Sequence, residues 1–175
     1  MLEKKKKYGI EFSRNKRYVE IGTVTNKTRI DVDVDLYGWN SYDGFFNYGQ
    51  NQFDFTRYGD KTRSRWGGET LELNNNNVLK LHLATPSKPI HIVLSMNKGI
   101  TSLNGTVYYT HTQKTFSKTG ITLGTGGAGF TGKVYSFSIW ENDVLVDVFK
   151  AKNINGVDCF VGKHTREIKE VKQAS

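Results

Sequence analysis

Residues 29–38, RIDVDVDLYG, alternate without a slip: Ile30, Val32, Val34 and Leu36 share one parity, Asp31, Asp33 and Asp35 the other. An extended strand sends successive side chains to opposite faces, so this run predicts a strand with an aliphatic side and a row of carboxylates. The same two-residue period recurs along the chain. RYVEIGTV (17–24) reads as a strand, with TNKT as the turn before the aspartate run. GFFNYG (44–49) and QFDFTRYG (52–59) read as short strands, with Phe53 and Phe55 pointing inward. Leu71 and Leu73, then Leu79, Leu81 and Leu83, keep the period on either side of the asparagine run 74–77, which reads as a turn. In KPIHIVLSMNKGITSLNGTVYYTH (88–111) a buried strand over 90–96 leads to a turn at Lys98 and Gly99. The next strand breaks at Asn104 and Gly105, a pair suited to the left-handed dihedrals of a hairpin. KVYSFSIW (133–140) is a further strand, expected to place Tyr135, Phe137 and Ile139 on one face and Ser136, Ser138 and Trp140 on the other. Only the tail, REIKEVKQ (166–173), predicts a short helix. No long segment carries apolar residues at i, i+3, i+4 and i+7. The pattern predicts an all-β, antiparallel β-sandwich.

Length and composition agree with one domain: 175 residues, 13% aromatic, two prolines against eighteen glycines. The net charge of +8 sits partly at the two ends, EKKKK (3–7) and KHTREIKEVKQ (163–173). Such a balance suits nucleic acid, anionic glycans or a bacterial surface. No nucleic-acid motif accompanies it, so nucleic acid is not expected and the ends read as solvated. Cys159, the single cysteine, has no disulfide partner within the chain and reads as a small apolar residue. The N-terminus has charge without a following apolar segment, so no signal peptide is expected, nor is any stretch near the roughly 18–20 apolar residues of a membrane span. These features predict synthesis and folding in a cytoplasm.

Candidate chemistry is concentrated in two places. The first is the aspartate row, whose neighbours lie about 6.5–7 Å apart along the strand, a spacing open to a carboxylate pair. A raised-pKa acid needs an apolar pocket, whereas three carboxylates in a row on a basic chain favour a wet or salt-bridged face. A Ca²⁺ site needs about six to eight oxygens, and carboxylates strung along one strand diverge, so neither Ca²⁺ nor any other cofactor is expected. The second is the segment 38–68, dense in aromatics, glycine, Asn/Asp and arginine. Sugar rings offer apolar C–H faces and hydroxyls, so their sites combine flat aromatics with amides, carboxylates or guanidinium groups. Trp39, Tyr42 and Trp66 adjoin turn residues and are the surface candidates, with Arg57, Arg63 and Arg65 as polar partners. The histidines, His82, His91, His111 and His164, are scattered; His82 and His91 read as satisfied strand residues, and no zinc pattern exists. GTGGAGFTG (124–132) is followed by strand periodicity rather than a helix, so it reads as a sandwich-edge loop rather than a phosphate cradle.

The second half of the chain carries a family resemblance. The apolar strand HIVLSMNKG, the LNG turn, and ITLGTGG followed by GFTGKVYSFSIWENDVLV are similar to the laminin G-like, concanavalin A-like jelly-roll domains. Gly132, Lys133, Val134, Tyr135, Ser136, Phe137 and Ile139 fit the family's late strand, with Trp140 where an aromatic is common. RYVEIGTVTNKTRIDVDVDL resembles its first two strands. The resemblance covers 17–151 and implies a jelly roll there, flanked by a basic N-terminal arm (1–16) and a C-terminal extension (152–175). It implies glycan or protein ligands held on the concave face or rim loops. Stand-alone versions resemble those of bacteriophages and gut bacteria. The implied function is a non-catalytic binding or decoration module, a virion accessory protein on capsid or tail, made in the bacterial host cytoplasm and presenting a carbohydrate-binding surface. Its partners would be a surface glycan or virion proteins, and a homo-oligomer is compatible with this. One alternative is a glycan-binding domain at a bacterial cell surface. The other is a laminarinase-type glycoside hydrolase using Asp31, Asp33 or Asp35, although the family's catalytic glutamates are all aspartates here.

Overall fold

Ile30, Val32, Val34 and Leu36 are buried along one side of β3 (Thr28–Leu36), the strand around which the larger sheet is built. The computed structural model describes residues 7–14, 16–46, 53–74, 89–112, 118–124 and 129–174, and among them there is no helix. β3 pairs antiparallel with β7 (Ile90–Asn97) and with β11 (Gly132–Glu141). Beyond β7 lie β8 (Ile100–Leu103) and β9 (Thr106–Thr110). Beyond β11 lie β12 (Val144–Ile154), β13 (Val157–Gly162) and β14 (Ile168–Glu170). β1 (Ile10–Phe12) pairs with residues 132–134 of β11, and β12 takes over the same edge from Ser136 onward.

The opposite layer is assembled from two three-stranded sheets. One is β10 (Thr119–Gly124), β2 (Arg17–Val24) and β15 (Lys172–Gln173); the other is β4 (Phe53–Tyr58), β5 (Lys61–Trp66) and β6 (Glu69–Asn74). Residues 44–46 lace them together, with bridges from Gly44 to Thr56 and from Phe46 to Leu123. The Phe45 N–H donates to the Phe55 carbonyl at 3.2 Å, and the Gly124 N–H to the Phe45 carbonyl at 3.0 Å. Antiparallel sheets thus pack face to face as a β-sandwich, over a core drawn from both layers. Aromatic rings fill it: Phe45 lies 4.8 Å from Phe130, Phe46 5.1 Å from Phe53, and Phe53 5.4 Å from Trp66. Phe53 and Phe55 point inward, as their spacing predicts.

Two local expectations are corrected. Tyr135 does not share a face with Phe137, because the β3–β11 register shifts between Val134 and Ser136. The bulge leaves Tyr135 opposite no residue of β3 and turns its ring outward, toward Asp35. The tail forms no helix: residues 168–170 pair with β13 and residues 172–173 with β2, so the C-terminus crosses from one layer to the other. The strands β1 and β13 to β15 lie outside 17–151, yet they pair into these same sheets. The strand expected over 79–83, the asparagines 75–77, His82, residues 47–49, the basic residues 3–6 and the glycine-rich positions 125–128 lie outside the described residues.

The ends of the glycine-rich segment have a steric cause. Gly124 has φ +117°, and a Cβ there would stand 2.4 Å from the Arg17 carbonyl oxygen; at Gly132 it would stand 2.5 Å from that of Asp35. Both glycines let two backbones approach closely, and β11 follows directly.

Candidate ligand-binding surface

An exposed aromatic cluster forms where the 39–43 turn meets β4. The Asn40 N–H donates to Asp43 Oδ2 at 2.7 Å, and the Asp43 N–H returns to the Asn40 carbonyl at 2.9 Å. Burial pushes the Asp43 carboxyl upward in pKa, against the Asn40 N–H and the Arg14 guanidinium, whose Nε is 3.5 Å away. The turn is tied to β4 by the Tyr42 N–H, which donates to the Arg57 carbonyl at 2.9 Å. This geometry forces Tyr42 to φ +72°, a left-handed conformation that a bulky residue rarely adopts. Its ring is 53% exposed and meets Tyr58, itself 48% exposed, edge to face with centroids 5.5 Å apart. The Arg63 guanidinium carbon lies 4.5 Å above the Tyr58 ring centre. Arg57 is tied inward, donating through Nε to the Gly59 carbonyl at 2.7 Å and through Nη1 to the Trp39 carbonyl.

Of the six expected site residues, the structure brings Tyr42, Arg57 and Arg63 together at this surface. It does not place the others on the outside. Trp39, 3% exposed, packs on Phe45 and Phe55 and donates its indole N–H to Thr62 Oγ1 at 3.1 Å. Trp66, 1% exposed, packs on Phe53. Their expected surface positions are therefore corrected: adjacency to a turn does not expose Trp66, whose parity in β5 aims it at the core with Thr62 and Ser64, nor Trp39, whose ring is drawn in between Phe45 and Phe55. Arg65 is 4% exposed and donates to Asp54 Oδ2 at 3.0 Å. Burial raises the Asp54 pKa against the donors Thr56, Arg65 and the Phe55 N–H.

The aspartate row faces away from the core, and each member has a side-chain partner. Arg29 holds Asp31 with a two-pronged contact, Nε at 2.9 Å and Nη2 at 2.7 Å, while its guanidinium covers Trp140 at 4.8 Å. Lys7 Nζ lies 2.7 Å from Asp33. His91 spans two carboxylates, with Nδ1 2.9 Å from Asp35 and Nε2 3.1 Å from Asp33. The Tyr135 hydroxyl donates to Asp35; burial and that carboxylate together raise the tyrosine pKa. Among the described residues no group of three or more His, Cys, Asp or Glu side chains is arranged to hold a metal ion.

Sequence reasoning missed a buried polar network between the layers. Ser64 Oγ of β5 lies 3.0 Å from His111 Nε2 and 2.7 Å from Thr101 Oγ1 of β8, while His111 Nδ1 lies 3.1 Å from Glu69 Oε1. The order serine, histidine, carboxylate is that of a nucleophilic triad. Ser64 and His111 are nevertheless sealed in the sandwich, so the network joins sheets rather than meeting a substrate. No spacing motif announces it, since only the pairing of distant strands brings these residues together. Nor is any helix of the described residues long and apolar enough to cross a membrane. Comparison of the chain with protein-family models finds no match, and comparison with curated proteins finds no similar sequence.

Proposed function

We propose that this protein is a non-catalytic binding module that presents a carbohydrate-binding surface, with Tyr42 and Tyr58 as its aromatic platform. The observation that carries this reading is Tyr42: a large aromatic side chain held half in solvent on a left-handed backbone. A left-handed conformation costs an L-residue about 1–2 kcal/mol, and strain of this kind gathers where a side chain must be presented. Two exposed rings set edge to face offer apolar surface to the C–H face of a sugar, and Arg63 adds donors beside them. The aspartate row supports the non-catalytic reading, because Arg29, Lys7 and His91 tie carboxylates that a glycosidase would need free for acid and nucleophile roles.

The resemblance of 17–151 to laminin G-like jelly rolls supports the same class of protein. By analogy with their stand-alone versions, the module decorates a bacteriophage capsid or tail, is made in the host cytoplasm, and meets a bacterial surface glycan. The alternative setting is a bacterial cell surface. Capsid, portal or tail genes beside this one would support the virion; a neighbourhood of cell-wall genes would move it to the cell surface. The binding reading is tested on a glycan array with the wild type and Tyr42→Asn. Signal that falls at least about ten-fold in the variant supports it, and a wild type that binds no glycan refutes it.

A further inference from the structure

The geometry points to an acidic sugar as the ligand of this surface: a glycan with one ring carboxylate for Arg63 and an adjoining C–H face for Tyr42 and Tyr58. This rests on the binding reading above and adds the charge class of the ligand. Among the described residues, the other cations at this cluster are spoken for. Arg57 is spent on the Gly59 and Trp39 carbonyls, Lys61 faces Glu72 at 3.7 Å, and Arg14 faces Asp43. Arg63 differs. Among the described residues it makes no hydrogen bond or ion pair, its Nε is buried without a partner, and its guanidinium rests on the Tyr58 ring. The contact with Tyr58 holds the guanidinium beside the two rings, and the fork of donors a guanidinium carries matches the two oxygens of a planar carboxylate. One free guanidinium beside two rings, the number found among the described residues, suits a polymer with one carboxylate per sugar; a polysulfate or nucleic-acid backbone calls for several cations in a row.

The test is calorimetric titration of the intact protein with three polymers: a polyuronate, the same polymer with its carboxyls reduced to alcohols, and a sulfated dextran. The wild type is expected to prefer the polyuronate to its reduced form by at least about ten-fold, the worth of a charge-assisted hydrogen bond, and to lose part of that preference with added salt. Arg63→Gln should abolish the preference, so that the polyuronate and its reduced form bind within about two-fold of each other. Equal binding of the charged and reduced polymers overturns the acidic-sugar assignment and leaves the binding reading intact. So does a preference that survives Arg63→Gln. Tightest binding to sulfated dextran, undiminished in Arg63→Lys, overturns the carboxylate by showing that only a point charge is read. A wild type that binds none of the three overturns both.

Discussion

Asp147 is a buried carboxylate held by donors from its own hairpin and the turn beyond. Burial opposes its charge, yet the Thr165 hydroxyl, the His164 and Thr165 N–H groups and the Val148 N–H outweigh it and hold its pKa well below the usual carboxylate range. Gly162 leaves the space for this cap, since a Cβ there would stand 2.3 Å from Asp147 Oδ2. Because the folded pKa is depressed, the stabilisation is complete above the unfolded value of about 3.9 and is lost as pH falls through the folded one. Asp158, lowered by Asn153, Arg17 and Tyr8 against its own burial, acts with the same sign. Asp43, raised by burial, acts with the opposite one, contributing in acid and losing its contribution as pH rises through its folded pKa. Melting curves from pH 6 down to about pH 2 should therefore fall below about pH 4 in the wild type. In Asp147→Asn they should start lower and fall less steeply; an unchanged acid slope would assign the effect elsewhere. At Tyr42 the strain argument predicts a separable loss. Asparagine tolerates the left-handed region, so Tyr42→Asn should stay within about 1 kcal/mol of wild-type stability in urea while glycan binding falls. A large destabilisation would instead make the ring a packing element.

On the scale of strands, the cross-layer network is the element whose loss is most readily measured. Ser64→Ala leaves His111 and Thr101 without their shared hydroxyl, and a buried polar group so deprived costs about 1–3 kcal/mol. Urea denaturation should show that cost, while a serine-directed phosphonate should leave wild-type Ser64 unlabelled. Labelling would turn the sealed network into a reactive one. The network also shows where a sequence stops being legible. Period-two patterning exposed β2, β3, β7 and β8, because each has one wet face and one dry face, and it aimed Phe53 and Phe55 correctly. It misassigned Tyr135 because a one-residue bulge resets parity without changing composition. It turned 166–173 into a helix because spaced apolar residues in so short a segment fit two periods equally well. Tyr42 and Arg63 were legible as residue types. Trp39 and Trp66 adjoin turns as Tyr42 does, but β5 parity buries Trp66 and the packing of Phe45 and Phe55 buries Trp39, which no local pattern announces.

For the whole molecule, the decisive question is whether the strands outside 17–151 are additions to a finished sandwich or part of its closure. The packing says closure. Phe12 of β1 stacks on Phe130 at 5.5 Å and meets Phe160 of β13 at 6.4 Å, and Phe160 meets Phe137 at 5.1 Å. Tyr8 and Arg17 both bond Asp158, so the first and last parts of the chain also share a carboxylate. The terminal strands then cross between layers, β14 on the larger sheet and β15 on β2, with Val171 between them in the core. Truncating one core phenylalanine costs about 3–5 kcal/mol, and a fragment of residues 17–151 loses both Phe12 and Phe160. It also loses the partners of β12 and β2 along those edges. Set against a domain stability of about 5–15 kcal/mol, those deletions leave little or nothing. The fragment 17–151 should accordingly show no cooperative thermal transition by circular dichroism and should associate through its bare strand edges, whereas residues 7–174 should melt in one step. A fragment that melts cooperatively as a monomer would mean that the core is complete without its ends.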